Sequence, residues 1–332
     1  MNVYKDLVLS LLLFFTILNV QKDDFHILIG VFLISSVGGL FYQYIYIFAQ
    51  HIIDIFRPFL NITAMQFVEY QSSRRRYFGD TMDEALIPML LNAAMTTKNI
   101  FLKFTYALML IAILFLVILS SWRTKFIICL YSILMSFFIF KTLRKYTLAL
   151  GALLILIFTI SSAITLVIVG QNVYDRFLVE DKPNEVIIQN SRISYLMSAF
   201  QMGKEHIVSG VGLGNYYDNL SNAEKIANQY SPAGGGMNKK FIVIDDPHNI
   251  FFGLFATTGI IGLLSFVGLL SYFIFTDIPF ILKKGFMDIK IYISIFWGYF
   301  IFAFFNPWMY FSFFIPFWFF RGIIENIKLN ND

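Results

Sequence analysis

The sequence predicts an all-α protein, a polytopic membrane helical bundle of about 8–10 spans with one long extracytoplasmic loop that contains short helices. Of the 332 residues, 58% are apolar and 14% are charged, whereas the apolar share of soluble domains is about 45–50%. The charged residues are grouped so that long uncharged blocks remain between them. One connection, residues 171–248, is much longer than the others.

Eight largely apolar blocks of the sequence contain no Asp, Glu, Lys or Arg. A helix needs roughly 20 apolar residues to cross a bilayer, and only a closed backbone hydrogen-bonding pattern is stable there, so most blocks predict transmembrane helices. The last block has Asn306 and Pro307 near its middle; because proline breaks helices, two shorter spans are expected there. The blocks are residues 7–21, 25–50, 85–97, 104–122, 126–140, 147–170, 249–276 and 291–320.

Short basic segments predict which ends of the spans face the cytoplasm, since such segments stay inside. Counting spans from them puts the turn at Arg123 and the whole of residues 171–248 outside the cytoplasm. The predicted organisation is therefore N-terminal spans in 1–170, an extracytoplasmic loop in 171–248 and C-terminal spans in 249–332. The basic residues used are Lys141, Arg144, Lys145, Lys283, Lys284, Lys290, Arg321 and Lys328.

The first hundred residues allow two topologies, because block 85–97 is short and contains Pro88. Eight spans place Arg74, Arg75 and Arg76 inside, as the positive-inside rule favours; nine spans place them outside. Residues 51–70 have polar side chains on one helical face, which predicts a helix lying in the membrane interface. The N-terminal apolar run is expected to be retained as a span.

The long loop has a composition that excludes several partners. It holds 16 of the chain's charged residues, and its nine acids outnumber its seven bases, so it is not a polybasic lipid-binding patch. The net charge of +4 is too small to indicate nucleic acid. The lone Cys129 excludes a disulfide framework and a cysteine metal site. Loops of this length usually carry function.

Within the loop, a helical pattern at 193–201 is followed by alternating glycines, Gly210, Gly212 and Gly214. No strand precedes them and the spacing differs from a dinucleotide fingerprint, so a Rossmann site is not expected. Two interpretations remain open. One is a tight turn that folds a surface helix back onto the membrane, and the other is a backbone cradle for an anionic or sugar ligand.

Polar residues also stand at two predicted membrane boundaries. His248 directly precedes a long uncharged block. Two interpretations remain open: a histidine whose polar tip lies at the membrane interface, or a functional residue. Asp245 and Asp246 are only weak candidates for a metal site, because His248 is the one histidine near them. Arg123 and Lys125 follow a 19-residue uncharged span; both could extend to the interface, but they lie on the face where positive charge is not favoured.

Three stretches in this order resemble the O-antigen polymerase and O-antigen ligase family of bacterial inner-membrane glycosyltransferases. They are SSWRT at 120–124, RISYLMSAFQMGKEHIVSGVGLG at 192–214, and HNIFFGLFATTGIIGLLSFVGLL at 248–270. The resemblance runs from about residue 104 to the C-terminus. Residues 74–80 are similar to an extracytoplasmic stretch of the family, which favours nine spans. Trp122 and Tyr195 depart from the usual family residues, and the chain has fewer spans than most relatives.

The resemblance implies glycan transfer from an undecaprenyl pyrophosphate carrier at the periplasmic face, by an inverting reaction that needs no metal and no cofactor. Guanidinium groups bind phosphate bidentately, and a neutral imidazole suits a general base. The implied roles are pyrophosphate binding by Arg123 and Arg192 and catalysis by His248. The candidate substrate-contacting residues are Gly210, Gly212, Gly214, Tyr195 and Asn249.

The expected function is polymerisation of lipid-linked oligosaccharide repeat units into a surface polysaccharide, O-antigen or capsule. A ligase that transfers the glycan to lipid A core is the first alternative, and modest chain length favours the polymerase. A membrane transporter is the second alternative, although it predicts ionisable residues at mid-span and an internal repeat, and neither is visible. The expected partners are the undecaprenyl-pyrophosphate-linked glycan and the bilayer, with a chain-length regulator protein as a further candidate.

Overall fold

A computed structural model describes residues 3–21, 24–48, 83–120, 123–141, 186–219, 247–283, 285–305 and 311–330. These ranges contain helices and no strand, which confirms the all-α class. Short 3-10 helices lie at Asp83–Leu86 and Tyr217–Asn219. The α-helices are α1 Val3–Leu18, α2 Phe25–Phe48, α3 Ile87–Thr96, α4 Ile100–Ser120, α5 Arg123–Ile139, α6 Val186–Glu205, α7 Ile250–Leu282, α8 Met287–Phe305 and α9 Phe311–Leu329.

The helices are those of a polytopic membrane protein. Helices α4, α7 and α8 are long and apolar enough to cross a membrane, and four more apolar helices are shorter. Helix α8 ends directly before Asn306-Pro307 and α9 begins at Phe311, so the last uncharged block forms two helices as predicted. The predicted span 147–170, the interfacial segment 51–70 and the triple arginine at 74–76 lie outside the described residues.

The chain divides into two compact units. The first comprises Met1–Thr16, Glu180–Phe286 and Phe300–Gly322, and therefore holds α6 and α7. The second comprises Ile17–Val179, Met287–Tyr299 and Ile323–Asp332, and holds α3, α4 and α5.

In the second unit, α3 packs along α4 and also contacts α5. The Nζ atom of Lys125, in the first turn of α5, lies 3.3 Å from a carboxylate oxygen of Glu84, just before α3. The beginnings of α3 and α5 therefore lie at the same end of these helices. Helix α3 has 10 residues and is shorter than a membrane span. The choice between eight and nine spans, and the side of the triple arginine, stay predictions.

In the first unit, a buried ion pair joins α7 to α9. Nη1 of Arg321 donates to both carboxylate oxygens of Asp277 at 3.0 Å, and the guanidinium carbon lies 3.7 Å from the centre of the Phe273 ring. Arg321 is one of the basic residues from which a cytoplasmic C-terminus is predicted, and its side of the membrane stays a prediction. It lies inside α9 and is fully buried, because Asp277 supplies the opposite charge and Phe273 covers the guanidinium face.

Replacing Asp277 by Asn, or Arg321 by Gln, should destabilise the protein by about 3–5 kcal/mol, because the remaining charge is buried without its partner. The thermal unfolding midpoint of purified protein in detergent measures the effect. Lys204→Gln, at an exposed lysine near the end of α6, is the control and should leave the midpoint unchanged. Equal midpoints for all three variants would show that the ion pair contributes nothing to stability.

Candidate functional site

Helix α6 lies in the first half of the predicted loop and carries most of the second motif. It runs from Val186 to Glu205, 20 residues, and is longer than the helical pattern at 193–201. Its Ala199 and Met202 are buried, and the helix packs against α7. The ring centroids of Phe200 and Phe255 are 5.9 Å apart. This part of the loop is therefore folded onto a membrane helix.

Helix α7 bends sharply at Gly259, whose φ of 66° and ψ of −161° are not helical. The ring centroids of Phe251 and Phe266 lie 6.2 Å apart, whereas a straight helix would separate residues 15 positions apart by about 22 Å at 1.5 Å per residue. The arm 250–258 therefore folds back towards the arm 260–282. The second arm alone is about 34 Å long, enough to cross the hydrocarbon core.

The turn after α6 binds the bend of α7 through backbone hydrogen bonds. The amides of Val211 and Gly212 donate to the carbonyls of Ala256 and Thr257, at 2.8 and 2.9 Å. The amide of Ile260 donates to the carbonyl of residue 207 at 2.7 Å. A bend interrupts the regular helical ladder and frees amides and carbonyls on either side of it. The turn supplies partners for three of these groups.

Two glycines make this close approach possible. Gly210 and Gly259 both have a positive φ, 65° and 66°, which favours glycine. A Cβ atom at Gly210 would overlap the backbone of Thr257, and one at Gly259 would overlap the backbone of Val208. Each glycine is thus required on steric grounds as well as by its backbone conformation.

The geometry favours the tight-turn interpretation of the glycine motif over a ligand cradle. The amides of Gly210, Val211 and Gly212 all donate to carbonyls of the protein itself. Gly212 and Gly214 also have positive φ angles, 97° and 90°, as consecutive turns require. That Gly210, Gly212 and Gly214 contact the substrate stays a prediction.

Asn249 has a structural role that the sequence motifs did not indicate. Its side-chain oxygen accepts from the amides of Phe251 and Phe252, at 3.0 and 3.2 Å, and so caps α7. Its side-chain nitrogen donates to the carbonyl of Phe304, near the end of α8, at 3.1 Å. The residue after His248 therefore fixes both the start of α7 and its position beside this part of α8.

His248 lies against α6. Its ring centroid is 5.9 Å from that of Tyr195, and its backbone has a φ of 50°, a left-handed conformation that is uncommon for a residue other than glycine. Arg192 lies one helical turn before Tyr195, and residues three apart share a helix face. The positions of Arg192, Tyr195 and His248 thus belong to one end of the contact between α6 and α7.

Arg123, the other predicted pyrophosphate ligand, belongs to the second unit and is the first residue of α5. Its side chain and that of Arg192 lie outside the described residues, so their convergence with His248 stays a prediction. Asp245 and Asp246, considered for a metal, also lie outside them.

Sequence reasoning missed the bend of α7. Residues 256–259 read Ala-Thr-Thr-Gly, a small and partly polar run inside an apolar block. Such a run, a few residues after a helix start, was the available signal for a break. The absence of charged residues and proline between 249 and 276 instead favoured one unbroken helix.

Replacing Gly259 or Gly210 by alanine should destabilise the first unit and release the turn, because each substitution combines a left-handed φ with a backbone overlap. Limited proteolysis of the 206–214 segment and the thermal midpoint measure this. Gly268→Ala is the matched control, since Gly268 lies in the same helix and a Cβ atom added there would meet nothing within 4 Å. Equal protease resistance in all three variants would contradict the docking of the turn.

Comparison with known proteins agrees with the motifs. Residues 108–267, just under half of the chain, match the family model described as O-antigen ligase. This segment includes Arg123, Arg192, the glycine turn and His248. No curated protein and no solved structure matched the chain. The family consists of glycosyltransferase-like membrane enzymes that act on lipid-linked glycans. Residues 108–267 are therefore similar to the O-antigen ligase family, in agreement with the resemblance of the three motifs.

Proposed function

We propose that this protein polymerises undecaprenyl-pyrophosphate-linked repeat units into a surface polysaccharide, at the periplasmic face of the bacterial inner membrane. The reaction is an inverting, metal-independent glycosyl transfer. The observation that carries the proposal is the contact between α6 and the start of α7. It brings Tyr195, one turn after Arg192, to 5.9 Å from His248, and these residues come from two separate family motifs within the matched segment.

His248 is the proposed general base. An imidazole that is neutral near physiological pH can accept a proton from a sugar hydroxyl, an effect typically worth about 10²–10⁴-fold in rate. The hydroxyl oxygen then bonds to the anomeric carbon while the bond from that carbon to pyrophosphate breaks. The proton is transferred to His248 and the lipid pyrophosphate leaves. A single displacement of this kind inverts the anomeric configuration.

Arg192 and Arg123 are the proposed ligands of the departing pyrophosphate. Negative charge increases on the leaving group in the transition state, and donors held in place before the reaction stabilise it most. Arginine presents a planar fork of donors that matches phosphate oxygens, whereas lysine presents a point charge. Both arginines lie on helices, Arg192 within α6 and Arg123 at the start of α5. Each arginine therefore lies on a regular helical backbone, which supports a fixed position for it within its own unit.

Ligation to lipid A core is the second candidate function, and the description of the matched family as O-antigen ligase favours it. The two reactions use the same donor and leaving group. They differ in the acceptor, which is another lipid-linked glycan for the polymerase and a lipid A core for the ligase. The residues proposed above would serve either reaction.

Transport is less well supported. Transport predicts ionisable residues at mid-span, whereas Asp277 lies near the end of its candidate span, Ile250–Leu282. Both of its carboxylate oxygens accept hydrogen bonds from Arg321, and Phe273 packs on the guanidinium. This packing supports a structural role for the pair.

Deleting the gene should leave the surface of the bacterium with single repeat units in place of long polysaccharide. The reason is that a polymerase joins repeats before they reach their final acceptor. Electrophoresis and mass analysis of surface and carrier-bound glycans measure the products. Long chains that accumulate on the undecaprenyl carrier would instead identify a ligase, and unchanged glycans would contradict both functions.

His248→Ala and Arg192→Lys should each abolish or strongly reduce polysaccharide when expressed in the deletion strain. The first removes the base, and the second keeps the positive charge but loses the bidentate fork. His206→Ala and Lys204→Ala are matched controls, because both residues are exposed near the end of α6. Normal polysaccharide in the His248 and Arg192 variants, at wild-type protein levels, would refute the assigned roles.

A further inference from the structure

The second unit, which does not include α6 and α7, contains a buried ion pair beside a family motif. Lys125 lies two residues after Arg123, and its Nζ atom is 3.3 Å from a carboxylate oxygen of Glu84. Each side chain is 2% exposed. Glu84 belongs to the 3-10 helix Asp83–Leu86, which contacts α5. This pair is not part of the motif pattern that identified the family.

We propose that Glu84 is a positioning residue that acts through Lys125 to orient Arg123. The proposal rests on the proposed function, in which Arg123 binds pyrophosphate. The ion pair holds the first turn of α5 against the 3-10 helix, and so fixes where α5 begins and how it is rotated about its axis.

The helix geometry makes this coupling specific. Positions 123 and 125 are about 200° apart around an α-helix, at 3.6 residues per turn. With position 125 turned towards Glu84, position 123 lies on the opposite face of α5. Thr124, between them, is buried at 2% exposure. Loss of the ion pair would allow this turn to rotate or unwind. Either change would move position 123.

Stability alone does not explain a buried pair at this place. Taking two charges out of water costs several kcal/mol per ion, and apolar residues of similar volume are often equally or more stabilising. The surroundings are already apolar, since Ala85, Leu86 and Ile128 are each at most 1% exposed. What the ion pair adds is a defined geometry. Orientation matters at a phosphate-binding arginine, since a displacement of about 1 Å can cost about 10²-fold in rate.

A double-mutant cycle tests whether Glu84 acts through Arg123. The full-length protein is purified in lipid nanodiscs, and its affinity for undecaprenyl pyrophosphate alone is measured. Glu84→Gln should weaken binding about tenfold, the scale of one hydrogen bond to a charged group. In the Arg123→Lys background it should have no further effect, because Glu84 would have no oriented guanidinium left to act on. Glu205→Gln, at an exposed carboxylate, is the control.

Reversing the charges provides the rescue. Glu84→Lys combined with Lys125→Glu should restore most of the affinity, while Lys125→Met alone should lower it as Glu84→Gln does. If Glu84→Gln does not fold, Glu84→Asp, which keeps the charge but shortens its reach, replaces it in the same cycle.

The outcomes separate this proposal from the proposed function. Wild-type binding by Arg123→Lys would refute the role of Arg123 and the positioning proposal with it. Weak binding by Arg123→Lys with unchanged binding by Glu84→Gln would overturn the positioning role alone. An equal loss from Glu84→Gln in both backgrounds would also overturn it, because the pair would then act on the fold and not through Arg123.

Discussion

The hydrogen bonds between the turn after α6 and the bend of α7 are the constraint on which the described site depends. An interrupted helix leaves backbone amides and carbonyls without partners, and each such group costs several kcal/mol in an apolar environment. The turn satisfies these groups while Gly210 and Gly259 allow the two backbones to approach. The end of α6 is thereby attached to α7, a candidate membrane span.

This attachment explains how residues distant in sequence meet. Because the turn is fixed at the bend, α6 lies along the arm 250–258, with Phe200 beside Phe255 and Tyr195 beside His248. Asn249 then caps the arm and ties it to the end of α8. The histidine thus has its ring beside α6 and its backbone, which is left-handed, directly before the capping residue Asn249. A general base, the role proposed for His248, requires such rigidity because it must meet its substrate in one geometry.

Within the described ranges, the sequence predicted the helices well and their contacts poorly, for physical reasons. Uncharged blocks mark spans because lipid excludes charge, and Asn306-Pro307 marked a break because proline cannot continue a helix. The bend at Gly259 gave a weak signal, since a glycine in an apolar run is also common in a straight membrane helix. The partners of Lys125 and Arg321 were unpredicted, because Glu84 and Asp277 are distant in sequence. Their pairing depends on packing that no local pattern encodes.

A density map of the purified protein with undecaprenyl pyrophosphate bound would test the central claim most directly. The account predicts the diphosphate beside position 192 of α6, with the imidazole of His248 facing the side on which an acceptor sugar would enter. A diphosphate bound away from both the α6 and α7 motifs, or on the cytoplasmic side of the spans, would contradict it.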